Sequence, residues 1–159
     1  TNGYLLTLNA GTGGKTIFTD ITLSGVFTST SPVEFAGKLT LAASSSINAP
    51  GVSFTSSGSV AGNKYNLALA TNSFAFAAGA LLADLNLISI QSQTSGTAIG
   101  LGDKSGATLL LSDAFLAATD SASGVLSLQI GSGAGTGVLR VATVLPDAIK
   151  LTPSSQREP

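Results

Sequence analysis

The chain reads as an all-β protein, a parallel β-solenoid of roughly seven coils, on three observations. Short apolar runs with alternating in–out character recur along its length, as in Val33–Leu41 (VEFAGKLTL) and Leu85–Ile90 (LNLISI). A period of two is the mark of a half-buried strand. The corners between runs are rich in Gly, Ser and Ala, yet hairpin chemistry is thin: Asn2-Gly3 is terminal and Asp-Gly does not occur. Antiparallel sandwiches and barrels favour such tight turns, so a parallel coil fits better. Finally, only 9% of the residues are charged while 43% are hydrophobic, against about 25% charged in an ordinary soluble domain. A surface of Ser, Thr, Asn and Gly suits an extended solenoid, whose coils bury an inner face only by stacking. With about 20–25 residues per coil, the 159 residues give the seven coils. Stacked about 4.8 Å apart, they make a rod of roughly 30–35 Å.

Element by element, Tyr4–Asn9 (YLLTLN) is the first strand, closed by a Gly corner at 10–14. Thr16–Leu23 follows, then a short strand at Val26-Phe27 and a Ser/Thr/Pro loop at 28–32. Val33–Leu41 alternates on each side of Gly37, which marks a bend or bulge. Ala42–Ser46 is small and polar, and Pro50-Gly51 is a turn signal before Val52-Ser53-Phe54. Residues 56–63 read as a polar corner, Tyr65–Ala70 and Phe74–Phe76 as strands. Ala77–Asp84 fits either one helical turn or a buried corner. After Leu85–Ile90, Ile99 and Leu101 alternate with Gly100 and Gly102, and Leu109–Leu111 is a short apolar strand. Ser112 or Asp113 is placed to N-cap a short helix near 113–118, since a side-chain oxygen there accepts from a free backbone N–H. Val125–Ile130, Val138–Val144 and Ala148–Leu151 complete about ten to thirteen strands of ordinary length. Residues 1–151 form one solenoid domain and 152–159 a polar tail. Seven phenylalanines (18, 27, 35, 54, 74, 76 and 115) are placed to stack between coils.

Composition also excludes function classes. Without Cys there is no disulfide framework or thiolate metal site. Without His the commonest general base and zinc ligand are missing. A net charge of −1 provides no field for nucleic acid, and no apolar stretch approaches the roughly 18 residues of a membrane span.

Four stretches, LTLNAGTGGKTIF (6–18), TAIGLGD (97–103), LLLSDAFLA (109–117) and VLSLQIGSGAGTGVLRV (125–141), resemble the degenerate repeats of bacterial filamentous-haemagglutinin-like exoproteins. The ordered combination at 97–141 is the most specific part. The resemblance implies a right-handed parallel β-helix within a large secreted or surface-anchored adhesin, exported by a two-partner or autotransporter route. It implies a structural, non-enzymatic role as rigid stalk or adhesion surface at the bacterial outer surface. Neighbouring coils of the parent chain and host or surface glycans or proteins are its candidate partners. It supplies no catalytic, cofactor-binding or metal-ligating residue, and no cofactor is expected.

The residues offer little against that reading. Gly13-Gly14-Lys15-Thr16 lacks the first Gly of a phosphate loop, Asn9 standing in its place, and a strand pattern follows. Gly100-x-Gly102 lacks the third Gly of a dinucleotide fingerprint, which would fall at Ser105. Asp84, Asp103, Asp113 and Asp120 sit at unrelated spacings. Converging in one groove they would bind calcium or cleave a polysaccharide; scattered, they are caps and solvated turns. A glycan-active β-helix enzyme is therefore the alternative, with a glycan-binding module using Tyr4, Tyr65 or an outer Ser/Thr face as a third. Arg140 should face outward. Ile99, Leu101, Leu109, Leu111, Leu126, Leu128 and Ile130 should point inward, and Asp103 and Asp120 should be exposed.

Overall fold

The structure, a computed structural model, describes residues 6–11, 13–103, 105–119, 127–131 and 138–143. Alternation sets the strands: β1 (Leu6–Leu8), β2 (Thr16–Leu23), β3 (Val26–Ser29), β4 (Val33–Leu41), β5 (Ser45–Asn48), β6 (Gly51–Phe54), β7 (Ser59–Ala61) and β8 (Asn66–Ala70). They continue with β9 (Ser73–Phe76), β10 (Leu81–Ala83), β11 (Leu87–Gln91), β12 (Ile99–Leu101), β13 (Leu109–Leu111), β14 (Leu128–Ile130) and β15 (Leu139–Val141). One helix, α1 (Asp113–Thr119), lies between β13 and β14. All the strand pairs are parallel.

The fold is a parallel β-solenoid. Its first wall is one sheet in the order β1-β3-β5-β8-β11-β14. A second sheet, β10-β7-β4-β6-β9 with β2 also on β4, wraps the other side. It makes two walls. Val33–Phe35 of β4 pairs with β6, and Lys38–Thr40 pairs with β7. The chain turns between these walls at a bulge, where Ala36 and Gly37 face the single residue Thr19 of β2. Gly37 is thus the corner the sequence marks. A Cβ there would lie 1.3 Å from the Thr19 carbonyl oxygen.

Register fixes the coil length. On the first wall, Leu6 pairs with Phe27, Phe27 with Ile47, Ile47 with Leu69 and Leu69 with Ile90. These are advances of 21, 20, 22 and 21 residues. The next rung, Ile90 with Ile130, advances by 40. The regular solenoid is therefore about four turns and not seven. The coil length was read correctly, but the step from Ile90 to Ile130 uses about two coil lengths for one rung of the first wall.

Inside, apolar residues stack rung on rung, and the second wall carries an aromatic ladder. Phe18, Phe35, Phe54 and Phe76 occupy successive rungs, with centroids 5.6, 4.9 and 5.7 Å apart. Phe115 of α1 closes the ladder edge-on to Phe76 at 5.6 Å and to Phe74 at 5.1 Å. Phe27 meets Phe18 edge-on, so all seven phenylalanines join one stack, as expected. Ile21, Leu39, Val60 and Leu82 form the third wall's aliphatic ladder. Full burial of such side chains contributes about 1.5–3 kcal/mol each.

The structure adds strands that the sequence reading missed. β5 falls where a polar run and a turn were expected, because Ser45 and Ile47 point inward. β7 lies within the expected polar corner at 56–63, with Val60 its buried residue. Of the two readings of 77–84, the corner holds: Ala80 N–H donates to Ala77 O, and β10 follows. The helix falls as expected, and Ser112 is its cap. Its Oγ accepts from Phe115 N–H at 3.3 Å, and its carbonyl accepts from Leu116 N–H. Ser112→Ala should cost about 0.5–2 kcal/mol in denaturant unfolding, and Ser112→Asp should restore most of it.

Ile99, Leu101, Leu109, Leu111 and Leu128 are buried, Ile130 packs partly against the core, and Asp103 is exposed. Leu126 and Asp120, the strand expected at 148–151 and the tail at 152–159 lie outside the described residues. β15 departs from alternation. Leu139, Arg140 and Val141 are all exposed, because β15 lies at the end of the small sheet β13-β12-β15.

Candidate functional surface

The corner between the first and second walls shows what the hydroxyl and amide side chains do. Gly11 N–H donates to Asn9 Oδ1 at 2.9 Å, Ser31 N–H to Ser29 Oγ at 3.2 Å, Ser73 N–H to Thr71 Oγ1 at 3.4 Å, and Thr94 N–H to Ser92 Oγ at 3.1 Å. The same side-chain-to-backbone turn recurs after β1, β3, β8 and β11. In the remaining coil, Ala49-Pro50-Gly51 occupies this place, and Pro and Gly set the turn without a side-chain acceptor. Ser29 Oγ also donates to Ser31 O at 2.7 Å, and Thr71 Oγ1 to Ser73 O at 2.8 Å. The signal was in the sequence, as an oxygen-bearing residue two positions before each corner's end. It was overlooked because the residue type changes at every coil. Thr71 is fully buried, so Thr71→Val should cost about 1–3 kcal/mol by orphaning backbone groups. Thr71→Ser should cost less, and thermal unfolding compares them.

The corner from the third wall back to the first holds a second polar group. Asn63, Lys64 and Asp84 have φ of 49°, 63° and 54°, the non-glycine positive values among the described residues. Such a conformation costs roughly 1–2 kcal/mol per residue and signals a constraint. The constraint here is a set of ties between coils. Asn63 Nδ2 donates to Leu41 O at 2.7 Å, Lys64 N–H to Asp84 O, and Asn86 Nδ2 to Asn66 Oδ1 at 2.7 Å. Tyr65 beside them is 38% exposed; Tyr4 lies outside the described residues.

Asp84, Asp103 and Asp113 do not converge as a site. Asp84 sits at that corner. Asp103 and Asp113 come together at the far end, where Asp113 N–H reaches Asp103 Oδ1 at 3.4 Å. Asp120 is not among the described residues. Among the described residues, no three His, Cys, Asp or Glu side chains gather as metal ligands. No described helix is long and apolar enough to cross a membrane.

The glycine motifs resolve into packing. Thr16 opens a strand, and Lys15 Nζ pairs with Glu34 Oε2 of the next coil at 2.7 Å. That exposed pair should be worth under about 1 kcal/mol and fade with salt. Gly100 is buried in β12, and a Cβ on it would strike the Ser105 and Ala107 side chains. Gly102 has φ 86° and donates its N–H to Leu111 O at 2.9 Å.

The outer face of the first wall is no Ser/Thr array. Its rows run Thr28, Asn48, Ala70, Gln91 and Val26, Ser46, Ala68, Ser89, Gln129. Alanines interrupt both. Comparison with known proteins finds no matching family model, no matching curated protein and no matching solved structure.

Proposed function

We propose that this chain is a structural segment of a large secreted or surface-anchored bacterial exoprotein, serving as a rigid stalk or adhesion surface at the outer surface of the cell. One observation supports the reading above others. Polar side chains join coil to coil, Asn63 to Leu41, Asn86 to Asn66, Ser92 to Asn72 and Lys15 to Glu34, while the corner hydroxyls lock the bend within each coil. The resemblance at 97–141 to filamentous-haemagglutinin-like exoproteins supports the same role. The mechanism is mechanical. Parallel ladders and apolar stacks transmit load along the axis, and binding partners are host or surface glycans or proteins met by the flanks.

The test is force spectroscopy with handles at Thr22 and Gln129. A load-bearing solenoid should lengthen in discrete steps of one coil, about 70 Å of released chain for 20–22 residues. Smooth, stepless extension would rule it out. The same protein on a glycan array and a polysaccharide panel separates a pure spacer from the adhesive and enzymatic alternatives. Retention lost on Tyr65→Ala would mark an adhesive corner, and cleavage would establish an enzyme.

A further inference from the structure

Along the second wall, strand order and chain order disagree. β13 lies against β9, the last strand of the regular coils on that wall. β12 comes earlier in the chain, yet it sits beyond β13, pairing Ile99 with Leu109 and Leu101 with Leu111. β15 takes the far side of β12, Ile99 opposite Leu139 and Leu101 opposite Val141. These three strands make a sheet of their own.

The ladders show how each level of the rod is joined to the next. The first coil is bonded to the second through β1–β3 and through β2–β4, which spans two walls. The second is bonded to the third through β3–β5, β4–β6 and β4–β7. The third is bonded to the fourth through β5–β8, β6–β9 and β7–β10. Every wall is bridged at each of these levels. Beyond the fourth coil only the first wall goes on as a ladder, from β8 to β11 and then β14. Among the described residues, β9 has no ladder partner on its far side, and α1 rather than a strand packs against β10. Side chains make the contacts across this seam. Phe115 meets Phe74 and Phe76 at 5.1 and 5.6 Å, and Ser112 Oγ donates to Phe76 O at 3.4 Å.

We infer that β12, β13, α1 and β15 form one module, which opens and unfolds as a unit from the β9–β10 end while the four regular coils stay closed and the continuous first wall keeps it tethered. Its parts hold one another. Leu109 N–H donates to Ala98 O at 3.1 Å and Gly102 N–H to Leu111 O at 2.9 Å, joining β12 and β13. Ile99 N–H donates to Val138 O at 3.0 Å and Ala142 N–H to Leu101 O at 2.8 Å, joining β12 and β15. Asp113 N–H reaches Asp103 Oδ1, which ties the start of α1 to the connection after β12. Opening the seam gives up the burial of Leu109, Leu111, Phe115 and Leu116. Parting two regular coils gives up equal burial, as at Leu39 and Leu69, and breaks ladders on every wall besides. The seam is therefore the level that opens first. Once detached, the module falls well below the roughly 40 residues a chain needs to stay folded without a disulfide, and this chain has no Cys. Its bonds are then lost together. Opening bares Phe74, Phe76 and the far edge of β9.

Gly102 provides the test. Its φ is 86°, and a Cβ there would lie 2.6 Å from Thr143 Cβ, 3.1 Å from Ala142 O and 3.1 Å from Asp113 Oδ1. All three atoms belong to the module or adjoin it, so Gly102→Ala strains the module and spares the coils. In native-state hydrogen exchange it should lower amide protection over 99–101 and 109–119 together, by at least tenfold, with 33–41 and 66–70 unchanged. In the unsubstituted protein, 99–101 and 109–119 should share one opening free energy and one denaturant dependence, both below those of 33–41, as sub-global units do. The inference fails if both segments exchange with the free energy and denaturant dependence of 33–41. It fails equally if 109–119 opens apart from 99–101. Loss of protection across 33–41 and 66–70 in Gly102→Ala would also overturn it, since the module would then not be separable.

Discussion

Phe35→Ala should lower unfolding stability by about 3–5 kcal/mol, the usual cost of truncating a buried aromatic, and denaturant titration followed by circular dichroism measures it. Phe35 is 1% exposed and stands between Phe18 and Phe54, with centroids 5.6 and 4.9 Å away. Truncation removes two ring contacts as well as buried area, and neighbouring coils cannot close the gap because backbone ladders fix their spacing. Glu34, next to it, points outward to Lys15. Glu34→Ala should change stability by under about 1 kcal/mol. A comparable loss at both positions would mean that the ladder does not hold the coils.

Gly37→Ala should cost about 3 kcal/mol or more, at or beyond the upper end of ordinary overpacking. The added methyl would sit 1.3 Å from Thr19 O, a backbone atom of the adjoining coil that no rotamer change can move aside. The first coil must separate from the second or the bulge must be lost. Hydrogen exchange should show protection falling first along 16–23, with 66–70 and 87–91 least affected. Gly51→Ala is the control. Its nearest neighbour is the Pro32 ring at 3.3 Å, and a much smaller loss is expected.

The strand pattern was legible because one side of every wall is dry. Val33, Phe35, Leu39 and Leu41 declare their inward face by spacing alone, and Gly37 declares the bend between them. The short strands β5 and β7 were not legible. Three or four residues hold too few alternations, and their outward serines and alanines read as corner. The coil count failed for a different reason: length was divided by coil length, but the rung from Ile90 to Ile130 takes 40 residues. Strand order was not legible either, because Ile-Gly-Leu at 99–101 and Leu-Leu-Leu at 109–111 present equivalent inward pairs. Only the three-dimensional arrangement shows that the later strand takes the earlier place. Asp84 was legible as standing apart, yet the Asp103–Asp113 approach depends on the fold-back from β12 to β13. Tyr65 and Asp84 were singled out by residue type, but not the corner that joins them, because Asn63, Lys64 and Asp84 look ordinary until their backbone angles are known.

The out-of-order strand has a geometric consequence for the whole rod. Between β9 and β12 the second wall is one strand taller than the first, where β11 follows β8 directly. One strand adds about 4.8 Å, and facing walls lie about 10 Å apart, so the two sides differ in height by an angle of roughly 25°. A stack with unequal sides curves away from the taller one. The regular coils and the β14–β15 end then meet at an angle, and the placement of a three-residue strand sets its direction.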